Sequence, residues 1–170
     1  MGFKKTIRHL TVAAIFLSVC SLAFAEKEEK KCADDQKVEW MTYEDAVKKS
    51  AEAGVPSVLV FYSDSCRKCE VLEEKGFNRA ATACYVNEKF APARIKGDDR
   101  PDLKKKFKVS YYPLVWFIDP EGKEIDYFVG YVSPERLDLI LHYVGDGAYK
   151  EMDFDKYEKQ QFKKKAGGEK

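Results

Sequence analysis

The sequence predicts an α/β fold in which a mixed central sheet is flanked by helices on both faces. Three observations carry that expectation. Val58-Leu59-Val60-Phe61-Tyr62 is a continuous apolar run, the pattern of a strand buried on both sides. Helix-start and helix-stop signals alternate with strand-like runs through most of the chain. Near the end, Asp119-Pro120-Glu121-Gly122 turns one apolar run back into another, which adds a hairpin to the alternating order.

The elements follow in order. Residues 26–39 are charged and lack periodicity, so they are expected to form a mobile arm. Thr42 followed by Glu44 and Asp45 starts a helix, and Gly54 before Pro56 stops it. Its apolar face is read as Ala46, Val47, Ala51 and Ala53. The strand from Ser57 to Tyr62 leads into a helix from Cys66 to about Gly76, with Val71 and Leu72 turned inward. A second helical stretch, Asn78 to Lys89, carries Ala81, Cys84 and Tyr85. Phe90 to Ile95 is the next strand, Asp98 to Arg100 a turn, and Pro101 to Phe107 a short helix with a basic outer face. Leu114–Ile118 and Glu124–Val129 are the strands of the hairpin. Ser133-Pro134-Glu135 opens a helix with an N-cap and a proline at its first position. Leu137, Ile140, Leu141 and Val144 form its apolar face, and Gly145 closes it. Asp153 caps a last helix running to about Lys164. The organisation is thus a globular domain over 40–145 and a helical extension with a polar tail over 146–170.

The first 25 residues read as an export leader. Lys4, Lys5 and Arg8 precede the apolar stretch Leu10 to Cys20, and Ala23-Phe24-Ala25 offers small residues for cleavage after Ala25. The apolar stretch is short for a membrane span, so the alternative is an uncleaved anchor. Leu17-Ser18-Val19-Cys20 fits a lipid-attachment signal poorly, because Val19 is bulky before the cysteine. The chain has 30 basic and 29 acidic residues; removing the leader leaves 27 against 29, a net charge of −2. Lysines interleaved with acids give no surface for nucleic acid, and no such partner is expected. About 145 residues support one core. Four of the five cysteines remain, an even number that suits an oxidising compartment outside the cytoplasm.

The chemistry is concentrated in Cys66-Arg67-Lys68-Cys69, directly after the buried strand. Two intervening residues let both sulfurs meet across the first turn of a helix. There, free backbone N–H groups and the positive end of the helix dipole favour a thiolate. A zinc half-site is the other reading, but it needs a second ligand pair, and His9 and His142 are the only histidines. No metal and no cofactor are expected. Arg67 and Lys68 have two readings. They either lower the thiolate pKa and stabilise the reduced form, or they are solvated charges with small screened effects. His142 reads as a dipole-satisfying or surface residue near a helix end.

Residues 40–145 resemble the thioredoxin superfamily. The matching pieces are Val58–Cys69, then Val109-Ser110-Tyr111-Tyr112-Pro113, Phe117-Ile118-Asp119-Pro120-Glu121-Gly122-Lys123, and Gly130-Tyr131. The insert Phe77–Phe90 and the ending Gly145–Tyr157 look like bacterial periplasmic members, some of which accompany sulfur oxidation. The resemblance implies a thioredoxin-like fold with a helical insert after the CxxC helix. It further implies a cis Pro113 lying against the redox site, its backbone meeting the substrate chain; the plainer alternative is an ordinary strand-leading proline. It implies thiol–disulfide exchange in which Cys66 attacks and Cys69 resolves. The expected partners are protein disulfides or thiols, with a membrane thiol-electron carrier as donor. Three departures stand out: Ser65 replaces the family tryptophan, Arg67-Lys68 replace Gly-Pro, and Val60 occupies the place of a buried proton-accepting Asp. The family's basic residue on the neighbouring strand aligns with Arg94, which stays charged. Reductase is the favoured direction; an oxidase or isomerase and a redox-inactive chaperone are the alternatives. Tyr111 and Tyr112 are expected either to line the substrate groove or to belong to the core. Cys32 and Cys84 either bridge each other or stay free. The exposed, charged setting of Cys32 favours a bridge that would pin the arm to the second helix.

Overall fold

The computed structural model describes residues 32–167. The leader, the start of the charged arm at 26–31 and the last three residues lie outside the described residues.

Helix α1 (Tyr43–Ala53) begins where the Thr42 hydroxyl accepts the Asp45 N–H, and ends at Gly54, whose φ of 67° suits a residue without Cβ. Its buried stripe differs from the expected one. Ala46 and Ser50 are buried, Val47 is half-buried, and Ala51 and Ala53 are exposed. Positions 46 and 50 stack one turn apart, and Ser50 is tolerated inside because its hydroxyl donates to the Val55 carbonyl at 2.6 Å.

Strand β1 (Ser57–Tyr62) is followed by α2 (Arg67–Leu72), a π-helical turn (Glu73–Phe77), α3 (Ala80–Lys89) and β2 (Ala91–Lys96). Helix α4 (Pro101–Lys106), β3 (Leu114–Ile118), β4 (Glu124–Val129), α5 (Pro134–Gly145) and α6 (Phe154–Gly167) complete the order. The sheet order is β2-β1-β3-β4, with β1–β2 parallel and the other pairs antiparallel. This is the expected mixed sheet, and β1 and β3 are its central strands.

Alternation along β1 divides the interior into two cores. Val58 and Val60 point to the face covered by α3 and α5, where they meet Phe77, Val86, Phe117, Leu137 and Leu141. Leu59 and Phe61 point to the face covered by α1 and α4, among Ala46, Leu103, Phe107 and Trp116. Phe61 is fully buried, and truncation to Ala there would cost about 3–5 kcal/mol. In β4 the pairing shifts between Phe117 and Ile118, so Ile125 is an extra residue. Ile125 and Phe128 consequently pack on the same core although they are three apart.

The described part of the arm is anchored. Cys32 is disulfide-bonded to Cys84 of α3, with Cα atoms 5.8 Å apart. Asn87 accepts the Glu39 N–H and donates to the Lys37 carbonyl, both at 2.8 Å. Val38 is buried, Trp40 meets Phe77 edge-on, and Met41 forms a bridge to Ala93. From residue 32 onward, the mobile arm expected from composition is thus a strap along α3 and the β2 edge. Charge density hid the buried Val38, the half-buried Trp40 and the two asparagine hydrogen bonds that hold it.

Candidate dithiol site

The site begins where β1 ends. Tyr62 is the last residue of β1 and pairs with Lys96, Ser63 to Ser65 turn the chain, and Cys66 caps the start of α2. Its sulfur accepts the Cys69 N–H at 3.1 Å, and the Cys66 carbonyl accepts the N–H groups of Cys69 and Glu70. The two sulfurs are bonded, with Cα atoms 5.3 Å apart. The cysteines differ in access: Cys66 is half-exposed, whereas Cys69 is only 7% exposed. A nucleophile that must meet an external disulfide needs the first environment. A resolving sulfur that meets only its neighbour tolerates the second.

The dipeptide between them points to solvent. Arg67 pairs with Glu70 at 2.7 Å, and its side chain is 78% exposed. The Glu70 hydrogen bond holds its guanidinium more firmly protonated than usual. That carboxylate offsets the Arg67 charge, one of the two that the sequence placed beside the thiolate. Lys68 is exposed.

Pro113 is buried, its bond to Tyr112 is cis, and it lies at the same end of the sheet as the cysteines, because Leu114 pairs with Phe61. Its carbonyl accepts the Gly130 N–H at 2.7 Å. Proline has no N–H, so Pro113 itself offers no backbone donor to a chain lying against it.

The two tyrosines separate. Tyr111 is 73% exposed and borders a hollow of about 330 Å³ with Ser110, Trp116, Tyr127 and Val129. Tyr112 turns inward, packing on the α1/α4 core. A Cβ on Gly97 would collide with its hydroxyl, so glycine is what admits the ring. That hydroxyl is the sole buried side-chain polar atom lacking a hydrogen bond among the described residues.

Behind Cys69 is a cavity of about 10 Å³ lined by Trp40, Val60, Tyr62, Leu72, Glu73, Phe77 and Arg94. Arg94 pairs with Glu73 at 2.7 Å and stacks over the Tyr62 ring, 4.1 Å from its centroid. The sequence singled out Arg94 and the apolar Val60 but not Glu73. The signal was the i, i+4 spacing from Cys69, which puts both side chains on one face.

His142 lies elsewhere, in an exposed cluster on α5 and α3. Its Nδ1 is 2.9 Å from Asp146, which also accepts the Tyr85 hydroxyl. Burial pushes the Asp146 carboxyl up, but the hydrogen bonds of His142 and Tyr85 outweigh it and hold the group below its usual range. Among the described residues no cluster of His, Cys, Asp and Glu is arranged to hold a metal.

A family model described as a thioredoxin-like domain matches residues 43–145. Among characterised folds, the DsbH oxidoreductase superposes with a TM-score of 0.59 at 17% identity, over 66% of this chain and 88% of that one. A thioredoxin from Thermus thermophilus gives 0.59 at 18% identity, over 64% and 88%. At such identities the likeness is one of fold. An uncharacterized protein of Caenorhabditis elegans is 27% identical over 71 residues, 41% of this chain, and the chain spans only 10% of that protein's length.

Proposed function

The chain belongs to the thioredoxin-like domain family, and on that premise we propose that it is a thiol–disulfide oxidoreductase that reduces protein disulfides through Cys66 and Cys69. The observation that carries this reading is the asymmetry of the bonded pair, one sulfur accessible at the head of α2 and the other enclosed.

The reducing cycle starts from the dithiol. The Cys66 thiolate attacks a substrate disulfide, whose S–S bond breaks; one substrate sulfur leaves as thiolate and takes up a proton. The other remains bonded to Cys66. Cys69 loses its proton and attacks the Cys66 sulfur, the mixed disulfide breaks, and the second substrate thiol departs. Two electrons have passed to the substrate, and the Cys66–Cys69 bond remains. A thiol donor, proposed to be a membrane thiol-electron carrier, restores the dithiol.

The Arg67–Glu70 pair supports the reducing direction, since one of the two charges that would favour an oxidant is spent locally. The proposed location is the periplasm, with residues 1–25 removed; the Cys32–Cys84 bridge is in keeping with an oxidising compartment. The assignment to the sulfur-oxidation type rests on the pattern of the insert and the ending alone.

Insulin reduction with dithiothreitol tests the activity. Cys66→Ser is expected to abolish turnover, and Cys69→Ser to trap substrates as long-lived mixed disulfides. Capture by Cys66→Ser alone would reverse the roles. Equilibration with glutathione tests direction: a potential near about −270 mV supports a reductase, and one near about −120 mV an oxidase. Osmotic-shock release of a chain beginning at Glu26 tests the location.

A further inference from the structure

The dithiol chemistry requires Cys69 to lose a proton while it is shut away from bulk water. Cys69 lines the 10 Å³ cavity together with Glu73, and the space has room for about one water. Among the residues lining that cavity, Glu73 is the only carboxylate and Arg94 the only cation; Tyr62 from β1 is the remaining ionisable neighbour. Glu73 is one turn beyond Cys69, and its N–H donates to the Cys69 carbonyl. The helix widens into its π-helical turn at this residue. Such a widening re-aims the side chains around it and recurs at functional sites. Arg94, steadied on the Tyr62 ring, meets the carboxylate at 2.7 Å.

We propose that Glu73 is the proton acceptor for Cys69, with Arg94 as the positioning residue that keeps its carboxylate in the cavity. The inference rests on the oxidoreductase reading and deepens it. In the resolving step the Cys69 S–H proton passes to the Glu73 carboxylate, directly or through one water. The Cys69 sulfur bonds to Cys66, the bond from Cys66 to the substrate sulfur breaks, and the departing thiolate takes up a proton. Glu73 then releases its proton to solvent. In the reverse direction Glu73 returns the proton to Cys69.

The experiment uses 5,5′-dithiobis(2-nitrobenzoate), which reports each half of the reaction without a protein substrate. Mixing with the reduced protein releases one chromophore as Cys66 is captured and a second as Cys69 resolves the mixed disulfide. The Cys69→Ser variant identifies the second phase by lacking it. For Glu73→Gln the second phase at pH 6 is expected to slow at least about tenfold, a modest fraction of what a positioned base supplies. The deficit should narrow as pH rises toward about 9 and the thiol ionises unaided. Glu73→Asp is expected to recover part of the rate, and thermal unfolding reports whether each variant is folded. A folded Glu73→Gln whose second phase matches the wild type at pH 6, or is slowed equally at every pH, overturns the proposal. Failure of insulin reduction by a wild type that shows both phases overturns the functional reading instead.

Discussion

Cys32→Ala tests what the strap's bridge contributes. The bond spans a sequence separation of 52 residues, a loop that contains α1, β1, α2 and the first half of α3. In the chain-entropy account, closing a loop of that length removes about 14 cal/mol/K from the unfolded ensemble, or roughly 4 kcal/mol at 25 °C. The substitution is mild in the folded state, because Cys32 is only half-buried and Cys84 keeps its place in α3 as a small apolar residue. The strap also retains its asparagine hydrogen bonds, Val38 and the Trp40–Phe77 contact. The loss should therefore act through the unfolded chain. The expected signature is a fall in Tm of roughly 10–15 °C under non-oxidising conditions, for a domain of this size. Protection of the Glu39 and Met41 amides from exchange should fall only in step with global stability. A Tm within about 3 °C of the wild type would refute the loop-closure reasoning. Selective loss of protection at Glu39 would show that the bridge acts on the folded strap instead.

Three further outcomes follow from the geometry. Tyr112→Phe removes the buried hydroxyl that lacks a partner and should be neutral or stabilising in denaturant titrations, whereas Gly97→Ala, which drives a Cβ into that hydroxyl, should cost about 1–3 kcal/mol. Glu70→Gln frees the Arg67 charge beside Cys66 and should raise the reduction potential by about 10 mV, the equivalent of an exposed pair of about 0.5 kcal/mol; a fall, or a rise beyond about 60 mV, would contradict the screening argument. Arg100 donates hydrogen bonds to Asp102 and lowers its carboxyl to about 2. Because the folded value is below the unfolded one, that stabilisation is present above about pH 4 and is lost as pH falls toward 2. Thermal melts should therefore separate Asp102→Asn from the wild type at pH 7 and merge near pH 2.

Local signals made much of the fold legible. Thr42 and Ser133 cap the helices they were expected to cap, and the continuous run at Ser57–Tyr62 is the strand beside the centre of the sheet. The CxxC needed only its place after that strand to be read. What stayed hidden depends on contacts distant in sequence. Ser50 is inside because of Val55, Tyr112 because Gly97 yields space, and the strap because of Asn87. The π-helical turn at Glu73 has no composition of its own, so the carboxylate behind Cys69 went unread although its spacing was visible. The fold's departure from the family pattern at Val60 was legible, but the neighbour that could compensate was not.

The two borders of the sheet are unequal, and this bears on solubility. At β2 the Met41 bridge occupies part of the margin, and Pro92 removes one donor there. At β4 the opposite margin has no further strand among the described residues, and Tyr127 and Val129 are half-exposed on it. Glu124 and Asp126 sit on the same short segment, and the extra residue at Ile125 twists it. Charge and twist at a bare margin are what discourage a second chain from stacking on it. Losing both acids, as in Glu124→Val with Asp126→Val, would turn a tolerated border into a template for fibrous self-association, with the dithiol chemistry left intact.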